Sequence, residues 1–132
     1  VSLMQTCRQR ADNQIMGLEM LAIALGLCSF SELLERSHIR IFSDNTDAEA
    51  AAKHGTARSF GHCCLAHSIW TKLLRLQASV FVDRVPTEEN LSDLPSREEY
   101  ELLEMMGAVR VPPRLDPPFY DPCAWESLTL MP

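Results

Sequence analysis

From about residue 13 the chain runs "NQIMGLEMLAIALGLCSF", in which Ile15, Leu18, Ala22, Leu25 and Cys28 or Ser29 follow the three-to-four spacing of one buried helix face. The spacing predicts a first helix from about Asn13 to Leu34, with Asp12 as its N-cap. Glu19 falls inside this apolar stretch, where a carboxylate either turns to solvent or needs a partner charge. The period then changes to two. In "HIRIFS", Ile39 and Ile41 alternate with Arg40 and Phe42 as in a half-buried strand. Asn45, Thr46 or Asp47 caps a short helix through "AEAAAKH", which Gly55 closes from the C′ position. "ARSFGHCC" is a loop and helix start, and "LAHSIWTKLLRL" continues as an amphipathic helix with Leu65, Ile69, Leu73 and Leu76 inward. "ASVFVDRV" reads as a second strand, with Val80, Val82 and by the same alternation Arg84 on one side, Phe81 and Asp83 on the other, and Pro86 ending it.

"TEENLSDLPSREEYELLEMMG" begins as a loop, places Pro95 in the first turn of a final helix and stops that helix at Gly107. Residues 111–132 carry six of the eight prolines, which rules out regular helix or a central strand there. This tail should lie extended across the body, anchored by Phe119, Tyr120 and Trp125. The order is helix, strand, helix, helix, strand, helix, and two strands joined by a long helical crossover should be parallel. The expectation is therefore an α/β core over residues 1–110 with a proline-rich tail. A sheet of two strands is too small to stand alone, so part of the fold should come from elsewhere.

Composition narrows the class. The 132 residues suit one domain, and the hydrophobic share of 46% suits an ordinary core. No run is long enough to span a membrane, because Glu19 and Glu32 interrupt the longest apolar segment. Five irregularly spaced cysteines argue against a disulfide framework and for a reducing, intracellular setting. Cys63 and Cys64 lie beside His62 and His67, but no second ligand pair completes a tetrahedral zinc set, so they read as helix residues. The net charge of −6 speaks mildly against nucleic acid, yet between Arg36 and Arg84 seven basic residues face four acidic ones, a local +3. Much of the acid lies in "REEYELLE", a solvated helix face.

Three carboxylates remain as candidate chemistry. Glu19 lies mid-helix, Asp44 at the C-terminal end of the first strand, and Asp93 near the start of the last helix. Ligands gather at the carboxyl ends of parallel strands. Acids brought together from three elements repel unless a divalent cation neutralises them, and hard oxygen donors favour magnesium or manganese. Each residue also has a plain structural reading. Asp44 suits a turn or cap, Asp93 a helix N-terminus, and Glu19 an exposed helix position.

"SDNTDAEAA" resembles the strand-to-helix acidic motif of ribonuclease H-like domains, and "RVPTEENLSDLPSR" resembles the motif that closes such domains in retroelement polyproteins. "QIMGLEMLAIALGL" is similar to the helix that precedes them. In this order the motifs, over about residues 12 to 110, resemble the ribonuclease H-like domain of fungal retrotransposon reverse transcriptases; the tail "GAVRVPPRLDPPFYDPCAWESL" is similar to that group too. The resemblance implies hydrolysis of the RNA strand of an RNA–DNA hybrid with two Mg²⁺ or Mn²⁺ ions. On that reading Asp44 bridges the ions or holds one, Glu19 completes one site and Asp93 the other. Asn45 touches the hybrid's backbone, and Arg58, Lys72 and Arg84 are candidate phosphate contacts. Recognition would rest on shape and sugar hydroxyls.

The family opens, however, with a three-stranded meander whose first strand supplies a further catalytic aspartate, and nothing before Glu19 reads as those strands. Activity then requires an upstream polyprotein segment or a second chain to supply them, and the 132 residues alone should show little or none. The other class of function is a non-catalytic remnant or interaction module with a ribonuclease H-like fold.

Overall fold

The computed structural model describes residues 14–57 and 60–119. Helix α1 is Gln14–Ser29, followed by a single turn, α2, at Ser31–Leu34. Strand β1 is His38–Ser43, then come helices α3, Thr46–His54, and α4, Phe60–Leu76, which lead to strand β2, Ser79–Arg84. The two strands pair in parallel with Ile39 opposite Val80 and Ser43 opposite Arg84. This is the α/β arrangement that the crossover demands, and among the described residues the sheet holds only these two strands. No helix among the described residues is long and apolar enough to cross a membrane.

The strands bury the side that their alternation predicts. Ile39, Ser43 and Val82 are buried, whereas Phe42 and Phe81 stand half exposed on the opposite face. There the Arg40 guanidinium lies 5.1 Å from the Phe42 ring centroid and 5.8 Å from that of Phe81, and 3.8 Å from the Asp83 carboxylate. Helix α4 also buries the expected row of Leu65, Ile69, Leu73 and Leu76. That row meets α1 and, with Met20 and Ala24, makes the centre of the core.

Helix α1 turns a different face inward. Met16, Met20, Ala24, Leu27 and Cys28 are buried, whereas Ile15 and Leu18 are 70% and 51% exposed and Ala22 is exposed as well. The helix is apolar nearly all round, so its sequence offers several stripes of the right spacing, and contact with α4 selects one of them. The helix also ends at Ser29 instead of reaching Leu34. The Ser31 hydroxyl donates back to the Cys28 carbonyl at 2.8 Å, and the chain restarts as α2. The proposed cap Asp12 lies outside the described residues.

Helix α3 is built from small residues, and Ala48, Ala51 and Ala52 are all buried, which lets it sit close between α1, α4 and the sheet. Gly55 closes it in the left-handed conformation (φ 70°), with its N–H bonded to the Ala51 carbonyl at 2.8 Å. The Trp70 indole N–H reaches across from α4 to the Ala52 carbonyl at 2.7 Å.

The expected final helix is two short pieces, α5 at Asp93–Ser96 and α6 at Glu101–Met105. Glu98 adopts φ 58°, and the N–H of Glu99 bonds to the Leu94 carbonyl at 2.9 Å while that of Glu98 bonds to Pro95 at 3.0 Å. This is the paired closure that ends helices, made here without glycine. Gly107 closes α6 in the same way. Residues 108–116 then run without regular structure to a 3₁₀ turn at Pro117–Phe119 that packs on α4. Phe119 is 1% exposed, Arg114 grips the Glu32 carboxylate at 2.9 Å, and Asp116 accepts from Lys72 Nζ at 2.5 Å. Tyr120 and Trp125 lie outside the described residues.

Candidate functional site

β1 ends at Ser43, and the next two residues do different things. Asn45 is the N-cap of α3, where its Oδ1 accepts the Ala48 N–H at 2.9 Å. The buried Ser43 hydroxyl in turn accepts the Asn45 N–H at 3.2 Å, which fixes the turn from both sides. Asp44 is thus held at the carboxyl end of the strand with its own side chain outside the cap. Sequence alone left three residues open as caps for α3, and the hydrogen bond assigns the role to Asn45.

Helix α1 brings Glu19 to the same end of the sheet. A groove of about 330 Å³ between α1 and β1 is lined by Ile23, Leu27, Ile39 and Ile41 together with Glu19, Ser43, Asn90 and Ser92. Asp93 follows directly, with its backbone N–H bonded to the Asn90 carbonyl at 3.1 Å. Burial lifts the Glu19 carboxyl above the usual range for a glutamate, and the negative charges of Asp44 and then Asp93 push it further the same way. Asp44, from the end of β1, and Asp93, from the start of α5, therefore both act on Glu19 of α1 as like charges.

The other candidate residues fall in different places. Arg84 is exposed and stands in register with Ser43, at the same end of the sheet as Asp44. Lys72 is on α4, its side chain mostly buried and its ammonium taken up by Asp116, so it does not present the surface cation that a phosphate contact requires. Asn45 commits its side-chain oxygen to the cap and keeps only its amide N–H₂ for any ligand. Arg58 lies outside the described residues. Sequence reasoning included Asn90 and Ser92 in the motif around Asp93 but gave them no role; they line the groove with Glu19. The signal was present in "ENLSD", because an asparagine two residues before a serine forms a side-chain turn.

In chemistry the donors are carboxylate oxygens, the kind a hard divalent cation takes, and such a charge would offset the effect of Asp44 and Asp93 on Glu19. In spacing they form no closed cage. Among the described residues no group of three or more His, Cys, Asp or Glu side chains is arranged to hold a metal ion. No protein-family model, no curated protein and no solved structure matches the chain.

Proposed function

We propose that this chain is part of a ribonuclease H-like nuclease domain of a retroelement polyprotein, which acts on the RNA strand of RNA–DNA hybrids. What supports the reading is that Asp44 and Asp93, from two other elements, both raise the Glu19 carboxyl, and that Glu19 lines one groove with Ser43 at the carboxyl end of β1. Glu19, Asp44 and Asp93 would hold Mg²⁺ or Mn²⁺, two ions by the resemblance. Bound there, such ions supply an activated water and neutralise charge at the phosphate. The chain's own residues perform the rest. Asp44 keeps its carboxylate at the strand end because Asn45 does the capping. Glu19 adds a second carboxylate from α1, and its raised proton affinity favours any state in which positive charge enters the groove. Arg84 stands at that end of the sheet as a phosphate contact.

The reading includes a missing partner, and the sheet offers it a place. Ser79 and Val85 donate their N–H groups to the carbonyls of Ser37 and Ser43, so the odd-numbered positions of β1 face β2. The backbone groups of His38, Arg40 and Phe42 then point to the opposite edge, and Arg40 and Phe42 also line the groove. A strand from an upstream polyprotein segment or a second chain would pair there. The second reading is a non-catalytic remnant or interaction module of the same fold.

Thermal melting with added Mn²⁺ separates the two. The nuclease reading expects the chain to be stabilised by the ion and the Asp44→Asn variant to lose most of that gain. It further expects cleavage of a hybrid once the strand-bearing upstream segment is restored, with none from Asp44→Asn. A chain indifferent to Mn²⁺, or cleavage undiminished by Asp44→Asn, would refute it.

A further inference from the structure

The free edge of β1 belongs to three residues. Ser37 and Ser43 accept the N–H groups of Ser79 and Val85, so the odd-numbered positions of β1 use their backbone groups on β2. His38, Arg40 and Phe42 turn theirs the other way, and among the described residues the sheet ends there. Little in the strand blunts this edge. His38–Ser43 contains no proline and pairs with β2 without a bulge. Its one formal charge, Arg40, lies against the rings of Phe42 and Phe81 on the exposed face of the sheet.

We infer that β1 pairs with β1 of a second copy of this chain, antiparallel about a two-fold axis at Ile41, so that two sheets become one of four strands. This names the occupant of the edge that the nuclease reading leaves open, and it rests on the strand alone. Two constraints select the pairing. Antiparallel strands exchange hydrogen bonds between residues whose backbone groups both face the partner, so even positions must meet even ones and odd must meet odd. Two registers then keep five residues of each six-residue strand paired, residues 38–42 or residues 39–43. The first sets Arg40 opposite the partner's Arg40, and like charges directly opposed disfavour it. The second sets Arg40 opposite the partner's Phe42, and by symmetry Phe42 opposite the partner's Arg40. The contact of guanidinium and ring that each chain makes internally at 5.1 Å is thereby repeated on both sides of the axis. On the helix side Ile41 meets the partner's Ile41, and Ile39 meets the partner's Ser43, beside the groove that these residues line. A second copy suits the edge because every favourable contact then occurs twice, and a sheet of two strands reaches an ordinary size.

Sedimentation equilibrium and amide hydrogen exchange of the unaltered chain test the pairing without any variant. The mass should double as concentration rises, and exchange of the Arg40 and Phe42 N–H groups should slow in step with it. A chain that stays monomeric, or a dimer in which those two amides exchange as freely as in the monomer, would overturn the inference. The register is read by oxidative cross-linking. Ile41→Cys sets two thiols across the axis at a non-hydrogen-bonded pair, where Cα atoms lie about 4.5 Å apart, within reach of a disulfide. Its copies should link through residue 41, as peptide mass mapping would show. In an equal mixture of Ile41→Cys and Ile39→Cys chains that self-link should persist, and a mixed link between positions 41 and 39 should be missing. Mixed links in its place would mean the register that opposes the two Arg40 side chains, and would refute the axis at Ile41. The outcomes also separate this inference from the nuclease reading. A dimer indifferent to Mn²⁺ would uphold the pairing and count against the nuclease, whereas a monomer stabilised by Mn²⁺ would do the reverse.

Discussion

Asn45 Oδ1 accepts the Ala48 N–H at 2.9 Å, one residue beyond an aspartate that takes no part in the cap. The two neighbours can therefore be told apart by stability. Asn45→Ala removes an N-cap and should destabilise the chain by about 1 kcal/mol. Asp44→Asn removes a charge that repels Glu19, so it should melt at or above the parent at neutral pH. Thermal denaturation of the pair decides the matter, and an Asp44→Asn variant that loses as much as Asn45→Ala would make Asp44 a structural residue.

The position of Glu19 gives stability a pH dependence with a definite sign. Its carboxyl is raised in the folded chain by burial first and by Asp44 and Asp93 after that, so the folded state holds the proton more tightly than the unfolded state does. Above the raised value the ionised glutamate is a penalty on folding. The penalty is relieved as pH falls through the raised value toward that of an ordinary glutamate. Glu19→Gln should accordingly melt a few degrees above the parent near neutrality, and the gap should close as the buffer is made acidic through that window. A gap that widened on acidification would mean that Glu19 is held by a cation instead of facing two anions.

How much of this could be read from the chain depended on how many answers each segment allowed. Helix α4 has a single apolar row, and Leu65, Ile69, Leu73 and Leu76 are the residues it buries. The strands have strict alternation and one covered face, and Ile39 and Val82 lie where the period puts them. Helix α1 has apolar side chains on almost every side, so periodicity chose the stripe through Ile15 and Leu18, which the fold leaves exposed. The three carboxylates drew attention by residue type, and what the fold adds is that the charges of Asp44 and Asp93 bear on Glu19. The role of Lys72 was not legible, for its partner Asp116 is 44 positions away and no local pattern joins them. Asn90 was legible as part of the motif around Asp93, but no local pattern says that its turn lines the groove with Glu19.

Gly55 sits beside the indole of Trp70, and a Cβ at that position would come within 3.1 Å of the ring while the backbone holds φ at 70°. Two penalties then coincide, the steric one and that of a left-handed conformation for a residue with a side chain, which alone amounts to about 1–2 kcal/mol. Gly55→Ala should lower the urea midpoint accordingly. It should also change the Trp70 emission in the folded baseline, because the ring must shift from its bond to the Ala52 carbonyl. A variant with parental emission and midpoint would show that the end of α3 relaxes without disturbing Trp70.

The strap formed by residues 114–119 separates burial from charge as the source of its attachment. Phe119 is almost fully enclosed, and Phe119→Ala should cost about 3–5 kcal/mol in urea unfolding. Asp116→Asn leaves the mostly buried Lys72 ammonium without its anion, and roughly 1–3 kcal/mol should follow. Glu32→Gln breaks the pair with Arg114 at an exposed site where water and salt already screen it, so the midpoint should barely move. The order Phe119, Asp116, Glu32 is what distinguishes an anchor that works by burial from one that works by ion pairing. If Glu32→Gln proved as damaging as Phe119→Ala, and the damage faded in high salt, the strap would be held by its charges, with the aromatic ring merely filling the space beneath.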